Sequence, residues 1–382
     1  VITGSDNSTN GTGTTNGGTA AAIADTAING SDTVSLGIAL TTTGAETDGI
    51  FTKSGGNEVH LVSPGSISTS SNYSSGIYNS GSNNLVTASG NILTTGEWAT
   101  GIKNIGDSNT TTVSGSIATG NVSSNSGSSS YGIYNKGNDN TTTLSGDITT
   151  INYSGYGIYN KGNRNTTIMS GNFTASGTND RSNYGIYNSG DENITTMSGI
   201  ISTVGSSSYG IRNSGSRNET TVSGSITTEG SSAHGITNYG NKNETTVSGS
   251  ITTGGSGAHG ITNTGDENET TVSGSIVTTG SAAHGIVHQP ELNPHTTTIS
   301  GTVKATGASS AALYNIEGSG NSFTLNEGAT IIGDILARDD TDDVYDATNS
   351  KLIFNLGAST SYAYSVSGKG AGTGAGQWTF SD

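Results

Sequence analysis

Three histidines, His234, His259 and His284, stand one repeat apart, and imidazole is the side chain that titrates near neutrality and binds metals most readily. Earlier repeats carry Tyr131, Tyr156, Tyr184 and Tyr209 at the same place, so a position that wants a flat, stacking ring is the plainer reading. On the titrating reading, acid below about pH 6 loosens this end by like-charge repulsion. Asp339, Asp340, Asp342, Asp343 and Asp346 could hold a hard cation such as Ca²⁺, although their spacing is not that of a helix–loop–helix calcium site. A solvated acidic turn is the alternative. Tyr134, Tyr159 and Tyr187 form an outward stripe suited to binding sugar or protein, against simple stacking between neighbours. Glu219, Glu244 and Glu269 make an outward acidic column, the usual sign of a solvated face. No Ser-His-Asp order, phosphate loop or metalloprotease spacing is present, so no catalytic residue and no cofactor is expected.

Two further sets carry hydroxyl or sugar chemistry. Thr112, Thr143, Thr196, Thr221, Thr246 and Thr271 line one outward face. Threonine is first of all a strand former, but such a face also suits ice binding, O-glycosylation or packing on a neighbour. Sequons at Asn109, Asn140, Asn165, Asn193, Asn218, Asn243 and Asn268 leave N-glycosylation open.

What positions these residues is a repeat. Gly-Ile recurs at residues 76, 101, 132, 157, 185, 210, 235, 260 and 285, in steps of 25, 31, 25, 28, 25, 25, 25 and 25. The excess of the long steps falls in Ser/Gly/Asn stretches, as insertions into one loop would. Each unit reads as three short β-prone pieces separated by Gly/Ser/Asn turns, with no 3.6-residue apolar period. Stacked, the units align three apolar columns, exemplified by Ile211–Ile236–Ile261, Val222–Val247–Val272 and Ile226–Ile251–Ile276. An Asn two residues after the Ile (Asn79, Asn104, Asn135, Asn160, Asn188, Asn213, Asn238, Asn263, Asn315) points inward and bonds along the axis, with His288 in its place once. The expected fold is all-β, a right-handed parallel β-helix with three short strands per coil of about 25 residues.

Along the chain, residues 1–22 read as a loose or capping segment and 23–75 as irregular coils with Ile28, Val34, Leu36, Ile38, Ile50, Val59, Val62 and Ile67 as core. Residues 76–301 are the regular array, 302–367 shifted coils and a cap, and 368–382 a Gly-rich linker and terminal strand. Trp378 and Phe380 on that strand could cap their own rod or be donated to a neighbour. The coil holding His288 is expected to be irregular, next to the insertion spanning Pro290 and Pro294.

Composition narrows the classes. Of 382 residues, 60 are Gly, 3 Pro and none Cys, which excludes a disulfide scaffold and thiolate chemistry. Thirteen Lys plus Arg against 29 acids, net −16, argue against a nucleic-acid partner. The chain opens at Val1-Ile2 without Met or an apolar leader, which reads as a processed or trimmed terminus.

Gly132-Ile-Tyr-Asn-Lys-Gly-Asn138 and its copy at 157–163, Asn140-Thr-Thr-Thr-Leu-Ser-Gly-Asp-Ile148, Gly328-Ala-Thr-Ile-Ile-Gly-Asp-Ile-Leu336 and the closing Trp378-Thr-Phe-Ser-Asp382 resemble the passenger region of a Gram-negative autotransporter. The resemblance covers nearly the whole chain. It implies a right-handed β-helix exported through the outer membrane and displayed at the cell surface or released. It also implies a translocator barrel, which this sequence lacks, whether cleaved, omitted or replaced by another export route. The expected role is non-enzymatic: a rod acting in adhesion, self-association or extracellular layer and filament formation, with itself or a host or environmental glycan or protein as partner. The alternative is a β-helical polysaccharide depolymerase of tailspike type.

Overall fold

Strand-forming Thr, Val and Ile alternate with one another between Gly- and Ser-rich corners, and the chain folds accordingly. A computed structural model describes residues 2–3, 20–25, 33–43, 46–120, 129–151, 154–175, 182–289, 292–316, 318, 320–338, 350–355, 366–369 and 378–381. Every regular element among them is a strand. Three strands make a turn, about twelve turns make a parallel β-solenoid, and contacts divide it into two units, Val1–Thr195 and Thr196–Asp382.

In the first unit a representative turn is Thr100–Ile105, Thr110–Val113 and Ile117–Thr119. Each strand pairs in parallel with its equivalents one repeat away. Ile102 aligns with Ile77 and Ile133, Val113 with Ala88 and Leu144, and Ile117 with Ile92 and Ile148. The second unit repeats the register, through Ile211–Ile236–Ile261–Ile286 and Ile226–Ile251–Ile276–Val303, the last step lengthened to 27 residues by an insertion. All of these residues are buried, and each isoleucine, leucine or valine contributes about 1.5–3 kcal/mol.

The Gly-Ile dipeptide has a steric cause. A Cβ on Gly235 would strike Cγ2 of Ile251, from the third strand, and lie 2.6 Å from the Gly260 carbonyl of the next turn. Only a bare α-carbon lets the isoleucine fill that layer. The Ser-Gly corner works the same way, with Gly249 set against the carbonyl of Gly224.

Two expected core residues lie outside the core. Ile38 is 71 % and Val62 45 % exposed. In Glu58–Leu61 the two-residue alternation turns Val59 and Leu61 inward. Val62 then begins the corner, its N–H bonded to the Leu36 carbonyl at 2.9 Å. Ile28 lies outside the described residues. The strand holding His288 (Ile286–Gln289) stays in register on both sides, pairing Asn263 with His288 and His288 with Asn315, so the insertion does not disturb it. Residues 290 and 291 are outside the described set. Past residue 302 the array continues, with a register irregularity between Ala311 and Leu313.

Candidate functional site

The interior is polar along one wall. In the first unit Asn79, Asn104, Asn135, Asn160 and Asn188 form a continuous amide ladder, each Nδ2 donating to the next Oδ1 at 2.8–2.9 Å. From Asn104 onward the remaining hydrogen goes to an inward threonine of the same turn, such as Thr142 for Asn135 at 3.0 Å. The second unit has the same arrangement in Asn213–Asn238–Asn263, backed by Thr220, Thr245 and Thr270.

The sequence reading missed a second ladder, made of the sequon asparagines. The backbone N–H of Asn109 donates to Asn140 Oδ1, that of Asn140 to Asn165 and that of Asn165 to Asn193, all at 2.9 Å. Asn218–Asn243–Asn268 repeat this at 2.8 Å. These side chains are no more than 1 % exposed, so the folded solenoid offers no amide at these positions to a glycosyl donor. The signal that could have found them is their step of 31, 25, 28, 25, 25 and 25 residues, the step of the Gly-Ile repeat itself. His295 continues the second ladder, its Nδ1 accepting the Asn268 N–H at 3.0 Å while its own N–H donates to Asn321 Oδ1 at 2.7 Å. His288 stands in the first ladder, its Nε2 2.8 Å from Thr297 Oγ1 and its ring 4.3 Å from that of Phe323. Burial holds His288 well below the ordinary imidazole range and His295 at about 4.

The His column is a stack. Rings of Tyr209, His234, His259 and His284 follow one another at 5.1, 4.8 and 4.9 Å. Nδ1 of His234 accepts the backbone N–H of His259, Nδ1 of His259 that of His284, and Nδ1 of His284 that of Ala311, at 2.9–3.0 Å. A neutral ring bonded in this way carries its proton at Nε2, which leaves no lone pair for a metal. Burial lowers His234 and His284 to about 4; burial and then its two histidine neighbours lower His259 to about 2. The expectation of charge repulsion below about pH 6 is therefore corrected: folded rings stay neutral well below that, because desolvation rather than repulsion dominates.

Tyr134, Tyr159 and Tyr187 are half-buried and less open than an outward stripe would be. Tyr134 packs on Tyr159 at 5.3 Å with the rings tilted by 32°, and Tyr159 stacks on Tyr187 at 4.8 Å. The parallel column Tyr131–Tyr156–Tyr184 walls them in, its rings 5.1, 5.6 and 5.4 Å from those of Tyr134, Tyr159 and Tyr187. Burial raises the Tyr134 hydroxyl to about 12. In the second unit the same column runs through Arg212 and Tyr314, half-buried, and between them Thr237, Thr262 and Val287, buried.

Thr221, Thr246 and Thr271 align in consecutive turns and face outward, as do Glu219, Glu244 and Glu269. Glu244 and Glu269 line a shallow cleft of about 320 Å³ with Lys242, Glu267 and Pro294. Trp378 and Phe380 lie on a strand that pairs in parallel with Ser350–Asn355 of the same unit. The acidic run Asp339–Asp346 lies outside the described residues. Among the described residues no three of His, Asp and Glu come together as metal ligands would.

One titratable cluster carried no sequence signal. Asp48 is buried, and desolvation lifts its carboxyl to about 6 against the pull of the Ser75 N–H, which it accepts at 2.6 Å, and of Lys103. Lys103 places its ammonium 4.4 Å from the Tyr78 ring centre, and burial lowers its pKa. Compared with protein-family models, curated proteins and solved structures, the chain matches none.

Proposed function

We propose that the chain is a structural element of a Gram-negative cell surface, exported in the manner of an autotransporter passenger, that acts by adhesion, self-association or the building of extracellular layers. The supporting observation is the outward lattice. Thr221, Thr246 and Thr271, with Glu219, Glu244 and Glu269 beside them, repeat residue for residue at the spacing of one strand, about 4.8 Å. Contacts too weak to matter singly gain avidity when presented in such a row. The internally bonded ladders serve this role by fixing each turn's register. The partner is a second copy of the chain, or a glycan or protein of the host or environment. Beads coated with the protein test the proposal: they clump with one another or with cells, and Thr221→Lys/Thr246→Lys/Thr271→Lys abolishes clumping. Beads that stay dispersed in both settings overturn it.

A second reading, a glycan depolymerase, draws on Asp48, whose raised pKa and neighbouring Lys103 and Tyr78 suit proton transfer. Release of reducing sugar from a polysaccharide, lost in Asp48→Asn, would favour it.

A further inference from the structure

Among the described residues, most corners from a turn's third strand back to its first hold a residue of left-handed backbone just ahead of the first strand. The second unit fills that place with Ser207, Ser232, Gly257, Ala282 and Ser309, at φ between 52° and 64°. Two consecutive turns of the first unit place there instead Tyr73 (φ 62°) and Trp98 (φ 58°). A bulky aromatic is a poor choice for this conformation, and burial does not offset it, because Tyr73 is 60 % and Trp98 40 % exposed. The rings lie within 3° of parallel with centres 6.3 Å apart, against 4.8–5.1 Å in the stacked His column. The corners are tied together, the Tyr73 N–H donating to the Glu97 carbonyl at 2.7 Å and the Glu97 N–H to Asn72 Oδ1 at 2.9 Å.

We infer that Tyr73 and Trp98 form a stacking platform for a neutral hexopyranose chain, which deepens the adhesive reading by naming a ligand class. Pyranose rings present apolar C–H faces that pack on aromatic rings, while their edges carry hydroxyls. Two parallel, exposed aromatic rings one turn apart offer a sugar chain an apolar seat. Their sequence neighbours, Ser70, Ser71, Asn72 and Glu97, are polar and match hydroxyls better than they match the apolar anchor of a protein hot spot. Charge selects among glycans. Glu97 adjoins Trp98 and the chain carries net −16, so sulfated, sialylated and uronate chains are repelled.

Trp98 is itself the reporter. The only other tryptophan is Trp378, so a Trp378→Phe background isolates its emission. The probes are hexaoses of β-1,4-glucose, β-1,4-N-acetylglucosamine, α-1,4-glucose and β-1,4-mannose, with heparin as the anionic control. At least one neutral probe gives a saturable change in Trp98 emission, with Kd on the order of 0.1–1 mM for two stacking contacts. Calorimetry shows that Tyr73→Ser and Trp98→Ser each weaken binding about ten-fold, and heparin does not saturate. Serine occupies this corner elsewhere, so both variants retain their thermal midpoint. No saturable change with any neutral probe, or unaltered affinity in the double variant, overturns the platform. The bead assay separates the two claims. Clumping without sugar binding refutes the platform alone, and sugar binding without clumping refutes the adhesive role alone.

Discussion

Replacing Asn238 by Ala removes the middle rung of the inner ladder in the second unit. Its Oδ1 accepts from Asn213 Nδ2 at 2.8 Å, and its Nδ2 donates to Asn263 Oδ1 at 2.8 Å and to Thr245 Oγ1 at 3.1 Å. All four side chains are buried, so water does not replace the lost partners. Three groups lose a bond: the Asn213 amide, the Asn263 carbonyl oxygen and the Thr245 hydroxyl oxygen. At about 1–3 kcal/mol for each unsatisfied buried group, with the hydroxyl free to turn, the expected loss is about 3–5 kcal/mol. The cavity left by the amide adds to it. Turns contact mainly their neighbours, so the damage is local. Urea unfolding measures the total, and hydrogen exchange locates it in Tyr209–Asn213, Ile236–Asn238 and Ile261–Thr264. Exposed Lys242→Ala is the control and stays within about 0.5 kcal/mol. A loss under about 1 kcal/mol, or undiminished protection in those strands, would refute the reasoning that the ladder holds the turns together.

Three other perturbations follow from the same geometry. The folded pKa values of His234, His284 and His295 lie near 4 and that of His259 near 2, below the unfolded value of about 6.5. The unfolded chain therefore binds more protons between those values, and stability present above pH ~6.5 is lost as pH falls toward ~4, by about 1–2 kcal/mol per ring at pH 5. Thermal midpoints at pH 7.5 and 5 check this: a flat wild-type profile, or an undiminished fall in His234→Phe/His259→Phe/His284→Phe, contradicts it. Gly235→Ala meets Ile251 and the Gly260 carbonyl, whereas the nearest atom to a Cβ on Gly254 is 4.0 Å away. Denaturation should show a loss of about 1–3 kcal/mol for the first and none for Gly254→Ala; equal losses would show that close packing is not the cause. Expressed in an N-glycosylating host, the folded fraction should carry no glycan at Asn218, Asn243 or Asn268 by mass spectrometry, and occupancy there would contradict their burial.

The apolar columns were legible because parallel register copies each core residue one repeat on, so Ile211, Ile236 and Ile261 align in sequence as they do in space. The first Asn ladder was legible for the same reason, two residues being one strand face. The second was hidden by residue type: Asn-x-Thr is a common tripeptide in a chain rich in Asn and Thr, and its chemistry as a sequon drew attention from its period. His295 escaped because an insertion separates it from Asn268 by 27 residues. Ile38 and Val62 misled because hydrophobicity alone does not say where a strand ends and a corner begins. Alternation would turn Thr237, between inward Ile236 and Asn238, toward solvent, but all three residues of its strand are buried. Tyr73 and Trp98 left no pattern, since a left-handed corner shows itself in sequence only when Gly or Asn fills it. Asp48 was equally silent, because a raised pKa depends on burial.

The chain has no cysteine, so introduced pairs report alone on whether like positions one repeat apart are neighbours. Thr221 aligns with Thr246, and Thr246 with Thr271, at a spacing of about 4.8 Å that a disulfide spans. Under mild oxidation, Thr221→Cys/Thr246→Cys and Thr246→Cys/Thr271→Cys should each close an intramolecular bond, while Thr221→Cys/Thr271→Cys, two turns apart, should stay reduced. Efficient closure of that last pair, or failure of the first two in folded protein, would contradict the stacked solenoid on which the whole account stands.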